Sequence, residues 1–233
     1  MKRHQSERSH AILDIPSRLA KARKVAAILS DFTDLSTSTL LDIGVGAGVI
    51  TAELAKRCRS VTGVDVVDER VIAEGYDFRL VEGEALPFDD ESFDVVVSNH
   101  VVPHVRDQER HVAEIHRVLR RGGLAYVAAP NRLFDGNYRL PLLPVLPRPL
   151  ARRYFRVVYG REYDVQPLGP IAFRRLLARF SERHDATRRV LRDPERYGEP
   201  SVSRLAPVFR AIPEPALAAL GSVIPTFICV ARK

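Results

Sequence analysis

The chain has 233 residues, 45% of them hydrophobic and 28% charged, with 36 Lys and Arg against 29 Asp and Glu. That length and balance allow one domain with a full core and exclude a disordered or fibrous chain. The net charge of +7 points toward anionic partners, but the arginines are scattered, Trp is absent and no basic motif with interleaved aromatics occurs, so a solvated basic surface is expected rather than a nucleic-acid interface.

Cys58 and Cys229 are too few for a disulfide framework or a four-ligand zinc site, and both read as small buried apolar residues. The charged N-terminus is not followed by an apolar stretch, so no signal peptide is expected. No run approaches the ~18 apolar residues of a membrane span. A cytoplasmic location is the resulting expectation.

In chain order, Pro16 and Ser17 start a helix with Leu19, Ala22, Ala26 and Leu29 at helical spacing. Strands are predicted at 39–43, 61–66, 78–82, 93–98 and 123–129, each a short Val/Ile/Leu/Phe-rich run of the kind buried on both faces. Helices are predicted between them at 48–58, 68–75 and 108–120, the last carrying Val112, Ile115 and Leu119 on one stripe and stopped by Gly122 and Gly123. Such alternation predicts a doubly wound α/β fold with a parallel sheet covered on both faces. Residues 131–168 break it with Pro141, Pro144, Pro147 and Pro149. A helix behind Pro170, a strand at 184–192 and a last strand at 226–231 resume it.

The chemistry concentrates at Leu40-Leu41-Asp42-Ile43-Gly44-Val45-Gly46-Ala47-Gly48, followed by Gly63-Val64-Asp65. This is a buried strand, a glycine-rich turn opening a helix, and an acid at the end of the next strand, the parts that hold a nucleoside at a sheet edge. A dinucleotide fingerprint requires glycine where Val49 stands, and a pyrophosphate favours a bare helix N-terminus rather than a neighbouring carboxylate. Asp42 beside the loop suits a ligand carrying positive charge. Asp65 can accept hydrogen bonds from both ribose hydroxyls, and Val66 can pack on the base.

Three further segments sharpen this. Glu82-Gly83-Glu84-Ala85-Leu86-Pro87-Phe88 precedes Ser92-Phe93-Asp94-Val95-Val96-Val97-Ser98, and Arg117-Val118-Leu119-Arg120-Arg121-Gly122-Gly123 precedes the fifth strand. With the glycine loop, these resemble the class I S-adenosylmethionine-dependent methyltransferase family, of the methyltransferase type 11 kind, over about residues 38–131. The resemblance implies a mostly parallel seven-stranded sheet with an antiparallel last strand. It implies S-adenosyl-L-methionine as cofactor, held by Asp42 near the methionine amino group, the loop glycines Gly44, Gly46 and Gly48, Asp65 and Val66, Glu82 and Gly83 at the adenine, and Ser98. Glu82 stands where the family carries aspartate, and Arg121 where it carries proline.

A single domain over 1–233 is expected: an N-terminal helical cap at 1–36, the cofactor core at 38–131, an insertion or lid at 132–168, and the rest of the sheet at 169–233. His104 matches the histidine of a family Glu-His pair and is the candidate base, because imidazole titrates near neutrality. Pro103 replaces the glutamate, which argues against a metal-assisted variant. His100 is an alternative base, while His111 and His116 read as solvated or packing residues. The Arg/Tyr stretches 132–139 and 152–163 are expected to set specificity. The apolar prolines of 140–147 beside Arg148, Arg152 and Arg153 suggest either a packed lid or contact with a lipid surface or a lipid-linked, phosphorylated acceptor.

The expected activity is methyl transfer to a small or medium-sized metabolite at oxygen. The alternatives are a macromolecular acceptor, RNA or protein, and a homologue that binds the cofactor without turnover. After the fourth strand the chain reads Ser98-Asn99-His100-Val101, which disfavours base N-methylation.

Overall fold

The computed structural model describes residues 14–134, 143, 146–160, 162–163, 165–220 and 224–233. Seven strands form one sheet: β1 (Thr39–Ile43), β2 (Ser60–Asp65), β3 (Asp77–Leu80), β4 (Phe93–Asn99), β5 (Leu119–Pro130), β6 (Glu182–Asp185) and β7 (Thr226–Arg232). Their spatial order is β3-β2-β1-β4-β5-β7-β6. β1 to β5 run parallel, and β7 lies antiparallel between β5 and β6. Strand order therefore reverses between β1 and β4, and the crevice beyond their carboxyl ends is where open α/β sheets hold ligands.

The helices are α1 (Ile15–Ser30), α2 (Val49–Ala55), α3 (Gln108–Val118), α4 (Arg148–Tyr159), α5 (Pro170–Leu176), α6 (Ala186–Arg192), α7 (Ala206–Ala211) and α8 (Glu214–Leu220). Alternate residues of the central strands feed two cores. Leu41, Val96, Ala125 and Val127 pack with Val112 and Ile115 of α3 and Phe173 of α5. On the other face, Leu40, Val95, Val97 and Tyr126 pack with Ala22, Val25 and Leu29 of α1, Ile50 and Leu54 of α2, and Val190 of α6. The near-continuous apolar strands follow from this two-sided burial. α1 begins where the Asp14 carboxylate accepts the Ser17 N–H at 3.2 Å, with proline in the first turn.

Three expectations are corrected. Residues 68–75 are not a helix. The N–H groups of Val71 and Ile72 donate to the Ala47 carbonyl, each at 3.0 Å, so they are spent on the glycine loop. Asp68 holds the Arg70 N–H and guanidinium in a local turn, which competes with helix formation. The second correction is at 184–192: β6 ends at Asp185, and Ala186–Arg192 is helical. There Asp185 is the N-cap, accepting the Thr187 N–H, and Ala186, Thr187, Val190 and Leu191 are buried at helical spacing. Third, α3 stops at Val118 and the chain is extended from Leu119, because Leu119 pairs with Phe93 of β4. Within 131–168, α4 forms a helix that the prolines had obscured. Residues 1–13 of the expected cap, and most of the stretches 132–139 and 140–147, lie outside the described residues.

The tightest packing constraint on the loop is at Gly48, whose φ is +82°. A Cβ there would lie 2.0 Å from the Ile72 carbonyl oxygen. That oxygen is backbone and already accepts the Tyr76 hydroxyl at 2.7 Å, so it cannot move cheaply. Gly48→Ala is expected to destabilise the fold by about 2–4 kcal/mol through strain and overlap together, measured as a shift of the urea midpoint at unchanged slope.

Candidate functional site

The glycine loop is fixed by its own backbone. Gly44 N–H donates to the Val64 carbonyl at 2.8 Å, and Gly48 N–H to the Val45 carbonyl at 3.0 Å. A Cβ on Gly44 would meet Val101 Cγ2 at 2.4 Å, so the loop touches the segment that follows β4. Gly46, by contrast, has φ +53° and nothing within 4 Å of where a Cβ would stand. Gly83 is likewise at positive φ and bordered by open space. The loop thus closes against protein on one side and presents bare backbone on the other.

Asp42 lies beneath this turn, only 3% exposed, and accepts a 2.6 Å hydrogen bond from the Thr51 hydroxyl of α2. Burial pushes its carboxyl up to about 7; the Thr51 hydrogen bond opposes that rise, and the neighbouring Asp65 charge adds to it. Asp65 ends β2, with its Oδ2 on the Gly46 N–H at 2.8 Å and its Oδ1 on the Val66 N–H at 2.7 Å. Each carboxylate oxygen has a second lone pair, so further hydroxyl donors can still be taken. Val66 is 61% exposed beside it, and Leu80, in register with Asp65 on β3, is exposed as well. An apolar margin therefore flanks an acid able to hold a sugar.

The 82–88 segment is anchored from outside. Glu84 accepts the N–H groups of Arg106 and Asp107, at 2.9 and 3.2 Å. Arg117 donates to the carbonyls of Leu86 and Phe88 and pairs with Glu114 and Asp90, while Glu114 accepts the Leu86 N–H. Glu82 itself is exposed. The Arg117 guanidinium is what holds Leu86-Pro87-Phe88 in shape.

Ser98 departs from expectation. Its side chain is fully buried on the α3 face, with its hydroxyl 3.0 Å from His111 Nε2, so that hydroxyl is engaged by protein rather than open to a ligand. Strand alternation explains this: Ser98 shares a face with Val96, which packs against α3. His111 is accordingly buried, not solvated, and burial pushes its pKa down to about 4. His116 packs against Phe180, with ring centroids 5.3 Å apart.

At the end of β4, His100 takes a left-handed conformation, φ +64°, and its N–H donates to the Ala128 carbonyl at 2.8 Å. Such backbone in a non-glycine residue costs about 1–3 kcal/mol and occurs where a side chain must be re-aimed. Burial lowers the His100 pKa to about 4, helped by the positive charges of Lys21, Lys24 and Arg18 from α1 and by His104. His104 is exposed on the turn Val102–His104. α1 reaches this mouth because Leu19 packs on Ala47 and Val49 of the loop. Burial also lowers the Lys24 pKa to about 8, and Lys24 pairs with Glu199.

Two other features stand apart. A cavity of about 310 Å³ is lined by Phe173, Arg174, Arg183, Arg188, Phe227 and Cys229 and includes none of these site residues. Burial raises the thiols of Cys58 and Cys229 to about 11 and about 12, so both are inert, as packing residues should be. Among the described residues no group of three or more His, Cys, Asp or Glu could hold a metal, and no helix is long and apolar enough to cross a membrane. Thr51 and Leu80 were not singled out from the sequence, because nothing local distinguishes a threonine on an apolar helix or a leucine at a strand end.

Residues 41–127 match a family model described as a methyltransferase domain. The ubiquinone biosynthesis O-methyltransferase of Rhizobium etli is 36% identical over 102 residues, 40% of this chain and 41% of that protein. The demethylmenaquinone methyltransferase of Chlorobaculum tepidum is 31% identical over 134 residues, covering 53% of this chain and 55% of that protein. The chain thus spans about half or less of the length of these relatives. The crystal structure of an S-adenosylmethionine-dependent methyltransferase from Mesorhizobium loti superposes over 92% of this chain and 100% of its own, with a TM-score of 0.60 at 15% identity, a likeness of fold.

The Asp42 carboxyl carries a pH signature. Folded, it keeps its proton up to about 7; unfolded, it releases it near the ordinary value of about 4. Between those values the folded state binds the extra proton, so this group makes stability fall as pH rises. Asp42→Asn removes that penalty. The variant's melting temperature is expected to gain on the wild type from pH 5 to pH 8, by about 2–3 kcal/mol in stability, with most of the gain complete by pH 8. A gap that stays flat across this range contradicts the assignment.

Proposed function

Because residues 41–127 are a domain of the class I S-adenosylmethionine-dependent methyltransferase family, we propose that the protein moves a methyl group from S-adenosylmethionine to an oxygen of a small or medium-sized metabolite. The observation that carries the donor is the pair of acids at the loop. Asp42 beneath the turn and Asp65 at its rim together favour a cationic ligand and disfavour a pyrophosphate.

The residues present fit that donor. Open space at Gly46 leaves room for close approach to the backbone, Asp65 has lone pairs for ribose hydroxyls, and Val66 with Leu80 offers an apolar seat for a base. A positively charged ligand relieves the cost that burial imposes on Asp42 when ionised. Gly83 offers backbone near the base, with Glu82 beside it, and the Ser98 hydroxyl is spent on His111, so Ser98 contributes by fixing the end of β4 rather than by a bond to the ligand.

When bound, the donor supplies a methyl on a sulfonium, an electrophile that needs only an aligned nucleophile. The protein's part is alignment and, for an oxygen acceptor, removal of the acceptor's proton. His104 on the turn after β4 is assigned as that base. The neutral His100 near it is the second imidazole at the mouth. Arg18, Lys21 and Lys24 of α1 make this mouth positive, which suits an acceptor bearing phosphate or carboxylate, whether free or lipid-linked. The names of the Rhizobium and Chlorobaculum relatives support a small-molecule acceptor, and the first supports oxygen. The division into a 38–131 donor core with coverings at 1–36 and 132–168 is part of the same proposal.

Titration calorimetry with S-adenosylhomocysteine tests the donor site. Wild type is expected to bind at micromolar levels and to ignore NAD. Asp65→Ala is expected to weaken binding at least about tenfold, the loss of a hydrogen-bonded charged group. Gly46→Ala is expected to weaken it comparably while changing stability by only about 1 kcal/mol, since its Cβ meets no protein atom. Absence of nucleoside binding by well-folded wild type, or a response to NAD instead, refutes the reading.

A further inference from the structure

α4 is built differently from the other helices. Among the described residues, its buried side chains, Ala151 and Phe155, pack with Leu143, Leu146, Tyr154, Tyr163 and Val165, a small cluster separate from the two cores of the sheet. Phe155 stacks at 4.8 Å on Tyr159 and at 4.9 Å on Tyr163. The helix is thus a satellite carrying its own miniature core. Gly160, at φ +66°, ends it in a left-handed cap.

That core uses only part of the apolar face. Leu150 is 54%, Val157 78% and Val158 49% exposed, and with the half-buried Tyr154 they fall at i, i+4, i+7 and i+8, one continuous stripe. Singly exposed valines and leucines need no explanation, but a contiguous stripe on one short helix does. Arg153 borders the stripe, and Arg152 and Arg156 lie across the helix, all exposed, with Arg156 paired to Glu162. Residues 148–161 contain five arginines and no acid. An exposed apolar stripe flanked by arginine is the pattern of helices that lie in a lipid–water interface, where the apolar side enters the acyl boundary and the cations meet anionic headgroups. A second copy of this chain fits less well, since it would bring like charges together in a protein already at +7.

We propose that α4 is a membrane-docking helix that seats this protein on an anionic lipid surface through Leu150, Val157 and Val158, with Arg153 at the edge of the stripe meeting headgroups and Arg152 and Arg156 adding longer-range attraction. The segment after α4 links this surface to the site. Gln166 N–H donates to the Pro103 carbonyl at 2.7 Å, its side chain donates to Val105 and Arg106, and Gln108 donates back to the Gln166 carbonyl at 2.8 Å. Docking would therefore hold the turn carrying His104 near the lipid. The inference does not depend on methyl transfer.

Co-sedimentation of the full chain with phosphatidylcholine vesicles, with and without phosphatidylglycerol, tests it. Wild type is expected to pellet with the anionic vesicles, to stay in solution with the neutral ones, and to be released by salt within the range that screens surface charge. Val157→Asp and the double variant Arg152→Glu/Arg153→Glu are each expected to lower binding at least about tenfold at unchanged melting temperature, since all three side chains are exposed. Wild type that stays in solution with anionic vesicles at low salt overturns the proposal. So does vesicle binding unaffected by these variants, or a concentration-dependent dimer in sedimentation velocity that Val157→Asp abolishes.

Discussion

The arrangement rests on one close approach: the turn after β1 is packed against β2, the 71–72 backbone and the segment after β4 with no room for side chains. Gly48 faces the Ile72 carbonyl, Gly44 faces Val101, and Gly63 on β2 would place a Cβ 2.5 Å from Val45. These contacts bring the ends of β1, β2 and β4 into one small region. Asp65 then reaches the Gly46 N–H, and Asp42 is sealed under the turn with Thr51. Without that approach the acids would be two solvated strand-end carboxylates with ordinary chemistry.

The loop also sets the electrostatics of the site by exclusion of water. A carboxyl that keeps its proton to about pH 7 becomes responsive to a positive ligand, because a nearby cation offsets the burial cost of ionising it. At the other side of the mouth the sign inverts. Burial and the cations of α1 together hold His100 neutral and make its imidazole a poor proton acceptor at physiological pH. The acidic groups at the glycine loop thus lie near a cationic patch formed by α1 at the end of β4. The chain order of α1, β1 and β4 gives no hint of this; it arises from Leu19 packing on Ala47 and Val49.

Support for the site comes from residues that do not face it. Arg117 and Glu114 of α3 clamp Leu86 and Phe88, and Glu84 clamps the N-terminus of the same helix. Gln166 ties the far side of the 131–168 region to the turn bearing His104. The sheet with its glycine loop, the clamped 86–88 segment and a satellite helix with its own small core are three units of the structure. The third carries an exposed apolar stripe along one helix.

Much was legible in the sequence because it is encoded locally. Six of the seven strands lie where short Val/Ile/Leu-rich runs place them, and the glycine spacing with Asp42 and Asp65 identifies the loop, since backbone conformation and close approach impose residue type directly. What failed was what distant partners decide. Residues 68–75 have helical composition, but their N–H groups go to Ala47; residues 184–192 alternate like a strand, but Asp185 caps a helix there. Ser98 and His111 looked unrelated until β4 packed on α3, and the exposed stripe of α4 was invisible because periodicity alone cannot say which apolar residues a core has room for. The sequence by itself determined most of the sheet and the glycine loop, through local backbone chemistry. Only the tertiary structure decided which polar groups are spent on protein and which apolar faces stay open, because burial depends on the whole chain.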